Sequence, residues 1–174
     1  MTSHAQRPLA RLRELTHNGS SLIVSCPNGI QLCLGCRTLN HCRLGLLREH
    51  RQDDGTVISE IICPPEYEAA DQVAHGRWTA GVLDEIVGHC VTLGDEFVVT
   101  GSLKIDFVKP VPISRPLTSR AAVVRREGRR VYVAAELSLT SSGAVLASAH
   151  ATMVRRPSNH YERHQEWLDG QCEA

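Results

Sequence analysis

His75-Gly76-Arg77-Trp78-Thr79-Ala80-Gly81-Val82-Leu83-Asp84-Glu85-Ile86-Val87-Gly88-His89-Cys90-Val91 is an almost wholly apolar run with two adjacent carboxylates near its middle. From position 78 to 91 the only polar side chains are Thr79, Asp84, Glu85 and His89, so no broad face is left for water. A helix that is apolar nearly all round is normally buried. The pattern therefore predicts one long interior helix over 75–91 that carries Asp84 and Glu85 inside with it. An ionised carboxylate in an apolar interior is costly unless something pairs with it or uses it. Asp84 and Glu85 are for that reason the first place to look for chemistry. Glu85 points roughly 100° away from Asp84 and has His89, four residues on, as a pairing partner.

On both sides of this helix the pattern is that of strands. Residues 21–25 and 30–32 flank Pro27-Asn28-Gly29, a hairpin or bend. Residues 44–50 and 56–63 read as strands joined through Asp54-Gly55, and 64–71 reads as a loop into the helix. Beyond the helix, 97–109 is a long strand stopped by Pro110-Val111-Pro112, which cannot continue a ladder. Residues 117–126 and 129–140 pair around Glu127-Gly128, and 144–155 follows Ser141-Ser142-Gly143. Consecutive strands joined by tight turns make a mainly antiparallel sheet. One central helix and about six strands give an α+β fold, a sheet wrapped round one long helix. The expected organisation is an N-terminal extension over 1–18, one domain over 19–156, and a tail over 157–174 that forms a short surface helix.

The chain's 174 residues suffice for a sizeable core. Its 19 basic and 19 acidic side chains balance, which argues against a general nucleic-acid binder, usually a basic protein. No apolar run approaches the roughly 20 residues of a membrane span, and the start lacks the apolar core of a secretory signal. Seven cysteines without an export signal are expected as reduced thiols in a cytoplasm. Cys26, Cys33, Cys36 and Cys42, with His41, would supply enough zinc ligands, and Cys33-Leu34-Gly35-Cys36 has knuckle spacing. The second two-residue spacing is missing, so no metal or cofactor is expected. Cys90 reads as a small core residue.

A helix N-terminus presents unpaired N–H groups and a partial positive charge. Gly76 lets a ligand approach that backbone closely, so the terminus can hold a carbonyl oxygen and stabilise an oxyanion on it. Asp84 is then the nucleophile or the general base on water. At the helical rise, Asp84 lies roughly 12–14 Å from His75 and Gly76. One chain cannot bring both ends to one carbonyl carbon, so a site using both must be shared across a two-fold dimer with antiparallel helices.

His75-Gly76, Asp84 nine residues after the His, and Lys104-Ile105-Asp106-Phe107-Val108-Lys109-Pro110-Val111-Pro112 together resemble the hotdog-fold acyl-CoA thioesterases of the phenylacetyl-CoA thioesterase (PaaI-like) group. Cys33-Leu34-Gly35-Cys36, with Asn40 and Leu44-Gly45-Leu46, is similar to an N-terminal cysteine-containing element of these proteins. The run Val123-Val124-Arg125-Arg126-Glu127-Gly128-Arg129-Arg130 also fits. The resemblance covers about 33–155 and implies a hotdog fold. It further implies a homodimer or dimer of dimers, and hydrolysis of a thioester carried by coenzyme A or an acyl carrier protein.

The resemblance also implies roles. The backbone at Gly76 and Arg77 would bind the thioester oxygen, with His75 shaping the entrance. Asp84 of the other subunit would be the catalytic carboxylate, and Thr100 would support the attacking water. The family usually has His-Gly-Gly. Here Arg77 replaces the second glycine, keeping the N–H but adding a side chain that crowds the carbonyl or reaches a phosphate or carboxylate. An acyl-CoA binding or sensing protein without catalysis is the rival this departure raises; a hotdog hydratase would use a different His-containing helix motif.

Arg125, Arg126, Arg129 and Arg130 cluster at one hairpin tip. Guanidinium groups suit the phosphates of coenzyme A, although a solvated hairpin has the same composition. Trp78 and Gly88 are candidate acyl-chain contacts, Gly88 because it leaves room one turn after Asp84, and both also fit ordinary core packing.

Overall fold

The computed structural model describes residues 24–25 and 28–171. In chain order these form β1 (Val24–Ser25), β2 (Gln31–Leu32), the short helix α1 (Leu34–Arg37), β3 (Leu46–Arg51) and β4 (Val57–Ile62). A 3-10 turn (Pro65–Tyr67) leads to β5 (Glu68–Ala70), β6 (Val73–Ala74) and the central helix α2 (Gly76–Thr92). Then come β7 (Val98–Phe107), β8 (Pro116–Glu127), β9 (Arg130–Leu139), β10 (Val145–Arg155) and the surface helix α3 (His160–Gln171). The expected extension over 1–18 lies outside the described residues.

Six strands make one antiparallel sheet in the order β3-β4-β8-β9-β10-β7. Its turns fall where the sequence put them, with Gly55, Gly128 and Gly143 at positive φ (84°, 54° and 69°). Asp54 Oδ1 accepts the Thr56 N–H at 2.9 Å, closing the β3–β4 turn. Two small elements sit in what reads as loop. The stretch 64–71 contains the 3-10 turn and part of the β5–β6 ribbon, which Glu68 folds by accepting the Gln72 N–H at 2.7 Å. Residues 34–37 form a single helical turn.

The central helix crosses β7 to β10 with Val82, Leu83, Ile86 and Val87 wholly enclosed. Each such side chain contributes about 1.5–3 kcal/mol by leaving water. Ala121, Ala135 and Ala149 are register neighbours on β8, β9 and β10 and are all buried. This alanine row gives the sheet a low floor that the helix's larger side chains fill.

The buried-carboxylate expectation needs correction. Asp84 is exposed and Glu85 half-buried on the isolated chain. The enclosed carboxylate is Glu49 on β3, 3% exposed. A bulge explains it: Leu46 pairs with Ile61 and Arg48 with Glu60, leaving Leu47 as an extra residue. Strict alternation from Leu46 would turn Arg48 inward; the extra residue turns Glu49 inward instead.

Candidate active site

His75 caps the central helix. Its backbone is extended (φ −64°, ψ 138°), its N–H donates to Tyr67 O at 2.7 Å, and its Nδ1 accepts the Arg77 N–H at 3.0 Å. An imidazole nitrogen thus does what a Ser or Asp oxygen does at most N-caps. The Arg77 amide therefore donates within the chain, where the sequence reading has it join Gly76 in holding a ligand oxygen. The Gly76 N–H has no acceptor among the described residues and opens on a cleft of about 300 Å³ between Gly76, Thr79, Phe107, Lys109 and Val111. A β-carbon at Gly76 would stand 3.7 Å from the Phe107 ring, ordinary contact, so the glycine keeps the amide approachable rather than relieving a clash. Arg77 is exposed and has no ion-pair partner among the described residues.

Two turns along the helix, Thr100 Oγ1 on β7 donates to Asp84 Oδ1 at 2.8 Å. A second bulge aims that hydroxyl. Thr152 pairs with Ser102 but Met153 with Thr100, so Gly101 is the extra residue. Its β-carbon would come within 2.8 Å of Val154 Cγ2 and 3.0 Å of Thr152 O, so only glycine fits without a shift. The bulge lets Val98 and Thr100 face the helix while Leu103 and Ile105, one step out of phase, also pack on the core.

Sequence reasoning missed a buried chain of polar groups behind Asp84. Glu85 Oε1 lies 3.3 Å from His89 Nε2, the pair foreseen, but His89 Nδ1 also lies 2.6 Å from Glu49 Oε2. Ser59 Oγ donates to Glu49 Oε1 at 2.9 Å. Burial disfavours the imidazolium, yet the hydrogen bonds and charges of Glu49 and Glu85 outweigh it and lift the His89 pKa from 6.5 to about 9. His89 thereby pins the helix to β3, five residues after Asp84.

The other candidates lie apart from this line. Trp78 is 1% exposed, its indole N–H donating to Leu44 O at 3.1 Å, which fits the core-packing alternative. Gly88 is half-buried under Met153. Arg125 pairs with Glu127 at 2.9 Å and lies over the Tyr132 ring, and Arg126 pairs with Glu96 at 2.6 Å. Arg129 and Arg130 are exposed at the β8–β9 turn. Among the described residues no group of three or more His, Cys, Asp or Glu side chains could hold a metal ion; Cys26 lies outside them. No helix among them is long and apolar enough to cross a membrane.

With this geometry in hand, the family model of the thioesterase superfamily matches residues 71–145, a stretch that holds His75, Gly76, Asp84 and Thr100. The fold is that of a hotdog domain, and over this stretch the sequence is similar to the thioesterase superfamily. The domain is similar to acyl-coenzyme A thioesterase THEM4 of Rattus norvegicus, 26% identical over 81 residues, 47% of this chain and 35% of the relative. The match thus spans about a third of that curated relative's length. Among solved structures, a hypothetical thioesterase protein with coenzyme A from Streptococcus pneumoniae superposes with a TM-score of 0.58 at 19% identity, covering 63% of this chain and 84% of that one. The E. coli PaaI protein of the phenylacetic acid degradation operon gives 0.57 at 16%, covering 63% and 78%. The pneumococcal protein has also been solved as an Asp→Ala and a Thr→Ala variant. The residues changed there are 16 positions apart, the separation of Asp84 and Thr100 here.

Proposed function

We propose that this chain hydrolyses acyl thioesters of coenzyme A at a site shared by two subunits. The observation that carries the reading is the exposed Asp84–Thr100 hydrogen bond on the same helix whose first amide, at Gly76, is open. The identically spaced Asp and Thr of the pneumococcal thioesterase, and the coenzyme A in its structure, support it. Gly76 and Asp84 are about 12 Å apart along the helix, so the carboxylate acting on a carbonyl held at Gly76 comes from a second copy. The outer edge of β7, ten residues long and ending in the exposed Phe107, is the kind of open strand that a partner covers.

In this reading the thioester oxygen rests on the Gly76 N–H, with the acyl or pantetheine arm in the adjoining cleft. Thr100 fixes the Asp84 carboxylate, whose free oxygen takes a proton from water as the water attacks the carbonyl carbon. The oxyanion that forms gains most from the Gly76 amide at the positive end of the helix. Collapse breaks the C–S bond, and the thiolate leaves with the proton that Asp84 took up. The products are a carboxylic acid and a thiol.

One observation favours the rival reading, binding without turnover: His75 occupies the Arg77 amide, leaving one backbone donor for the oxyanion. Thiol release from aliphatic and aryl acyl-CoAs by wild type and Asp84→Asn separates the two. Turnover that Asp84→Asn loses supports hydrolysis; tight binding with no turnover supports the rival.

A further inference from the structure

The chain carries a paired-thiol motif that hydrolysis does not use. Cys33 is exposed and caps α1; Cys36, one turn on, is 5% exposed, and its N–H donates to Cys33 O at 3.0 Å. Cys33 Sγ lies 4.0 Å from where a Gly35 β-carbon would stand, on the side that faces Arg43. The Arg43 N–H donates to Cys36 Sγ at 3.5 Å, and the nearby guanidinium adds a positive charge that favours the thiolate. The guanidinium lies over Gly35, where a β-carbon would come within 2.6 Å of Nη2. The glycine between the cysteines is thus the space that Arg43 occupies.

This surrounding divides the thiols sharply. Burial alone would push the Cys36 thiol up, but the Arg43 N–H and guanidinium, with Cys33 beside them, bring it below the ordinary 9.0. Burial pushes Cys42 to about 11, Cys63 to about 12 and Cys90 to about 11. Burial and the neighbouring Cys36 raise Cys33 as well. The thiolate is the nucleophile in exchange, so among the described cysteines one sulfur is prepared, one lies exposed beside it, and three are held protonated by burial.

We propose that Cys33 and Cys36 form a thiol–disulfide exchange site for low-molecular-weight disulfides, with Cys33 as the point of attack and Cys36 as the resolving thiolate. Cys33, losing its proton to solvent, attacks one sulfur of the small disulfide; that S–S bond breaks and the first small thiol leaves. Cys36 thiolate then attacks the Cys33 sulfur, forms the Cys33–Cys36 bond and expels the second small thiol. Two protein thiols are oxidised, one small disulfide is reduced to two thiols, and the protons balance. Residues three apart in a helical turn have Cα atoms about 5 Å apart, inside the roughly 4.4–6.8 Å that a disulfide spans.

The segment that follows lies on the central helix. The Leu44 carbonyl accepts the Trp78 indole N–H, and Leu44 Cδ2 would stand 3.8 Å from a β-carbon at Gly81. The exchange site therefore sits in the cover over the helix that carries Asp84, but its chemistry does not depend on the thioesterase reading.

The test is the full-length protein equilibrated in glutathione redox buffers, quenched and mapped by non-reducing peptide mass spectrometry. Wild type should yield an internal Cys33–Cys36 disulfide that dithiothreitol reverses, with Cys42, Cys63 and Cys90 unmodified. Cys36→Ser should stop at a glutathione adduct on Cys33, and Cys33→Ser should leave Cys36 unmodified. Arg43→Gln and Gly35→Ala should slow closure, so that the adduct accumulates. A persistent Cys33 adduct in wild type, a bond from Cys33 to another cysteine, or a bound metal that protects the pair would each overturn the proposal.

Discussion

Thr100 donates its hydroxyl proton to Asp84 across the gap between edge strand and helix at 2.8 Å, aimed there by the Gly101 bulge. Both residues are exposed, so their pairing contributes little to folding and their loss should be felt in catalysis. Asp84→Asn should lower kcat by about 10²–10⁴, the range for loss of a general base, with Tm unchanged. Thr100→Ala should cost less, because the carboxylate remains. Thiol-release kinetics beside thermal melts check both; a large fall in Tm for either would mean a structural role.

Gly101→Ala tests the bulge. The added carbon meets Val154 and the Thr152 carbonyl, so β7 must shift and swing Thr100 away from Asp84. Turnover should fall at least as far as in Thr100→Ala, and KM should move little. Full activity in Gly101→Ala would show that the hydroxyl needs no such aim.

A shared site predicts complementation. Gly76→Val and Asp84→Asn should each be inactive alone. Mixed and allowed to exchange subunits, they should recover activity, because each heterodimer carries one site free of both changes. Mixtures that stay inactive while mass spectrometry detects heterodimers would exclude the shared arrangement.

The Glu85–His89–Glu49 chain predicts a stability that depends on pH. The His89 value in the folded protein, about 9, stands above its free value of 6.5. Its stabilisation is therefore complete below pH 6.5 and disappears as the pH climbs through about 9. Melting temperature should decline across that window in wild type and stay flatter in His89→Gln. Glu49→Ala, which strips a buried charge of its partner, should cost about 3–5 kcal/mol, measured by denaturant unfolding.

Arg77 is exposed and has no ion-pair partner among the described residues, so Arg77→Gly should cost no more than about 1 kcal/mol, the helical penalty of glycine. It should raise KM for coenzyme A thioesters more than for the matching pantetheine thioesters, which lack the nucleotide phosphates. Equal effects on both would take Arg77 away from phosphate recognition.

The central helix and all six sheet strands were legible, because their apolar periodicity and Asp-Gly or Gly-containing turns act locally. Asp84 was singled out on an expectation of burial that the single chain does not meet. Apolar flanks at Leu83 and Ile86 imply cover on either side, and a linear pattern cannot distinguish cover by the same chain from cover by a partner. Glu49 was not legible at all. It sits in Leu46-Leu47-Arg48-Glu49-His50-Arg51, which reads as a charged edge strand, and only the extra residue at Leu47 turns it inward. The capture of the Arg77 amide by His75 was equally hidden, since histidine is an uncommon cap and nothing in the spacing distinguishes a capping ring from a shaping one.

The alanine row beneath the helix has a consequence for chemistry as well as packing. Asp84 rides on the helix and Thr100 on the edge strand of the sheet, so the thickness of the layer between them sets how far apart the two oxygens stand. Ala121, Ala135 and Ala149 act as shims of fixed gauge. A single added methylene there would lift the helix and open the hydrogen bond from below, detuning the carboxylate without touching either residue that makes it.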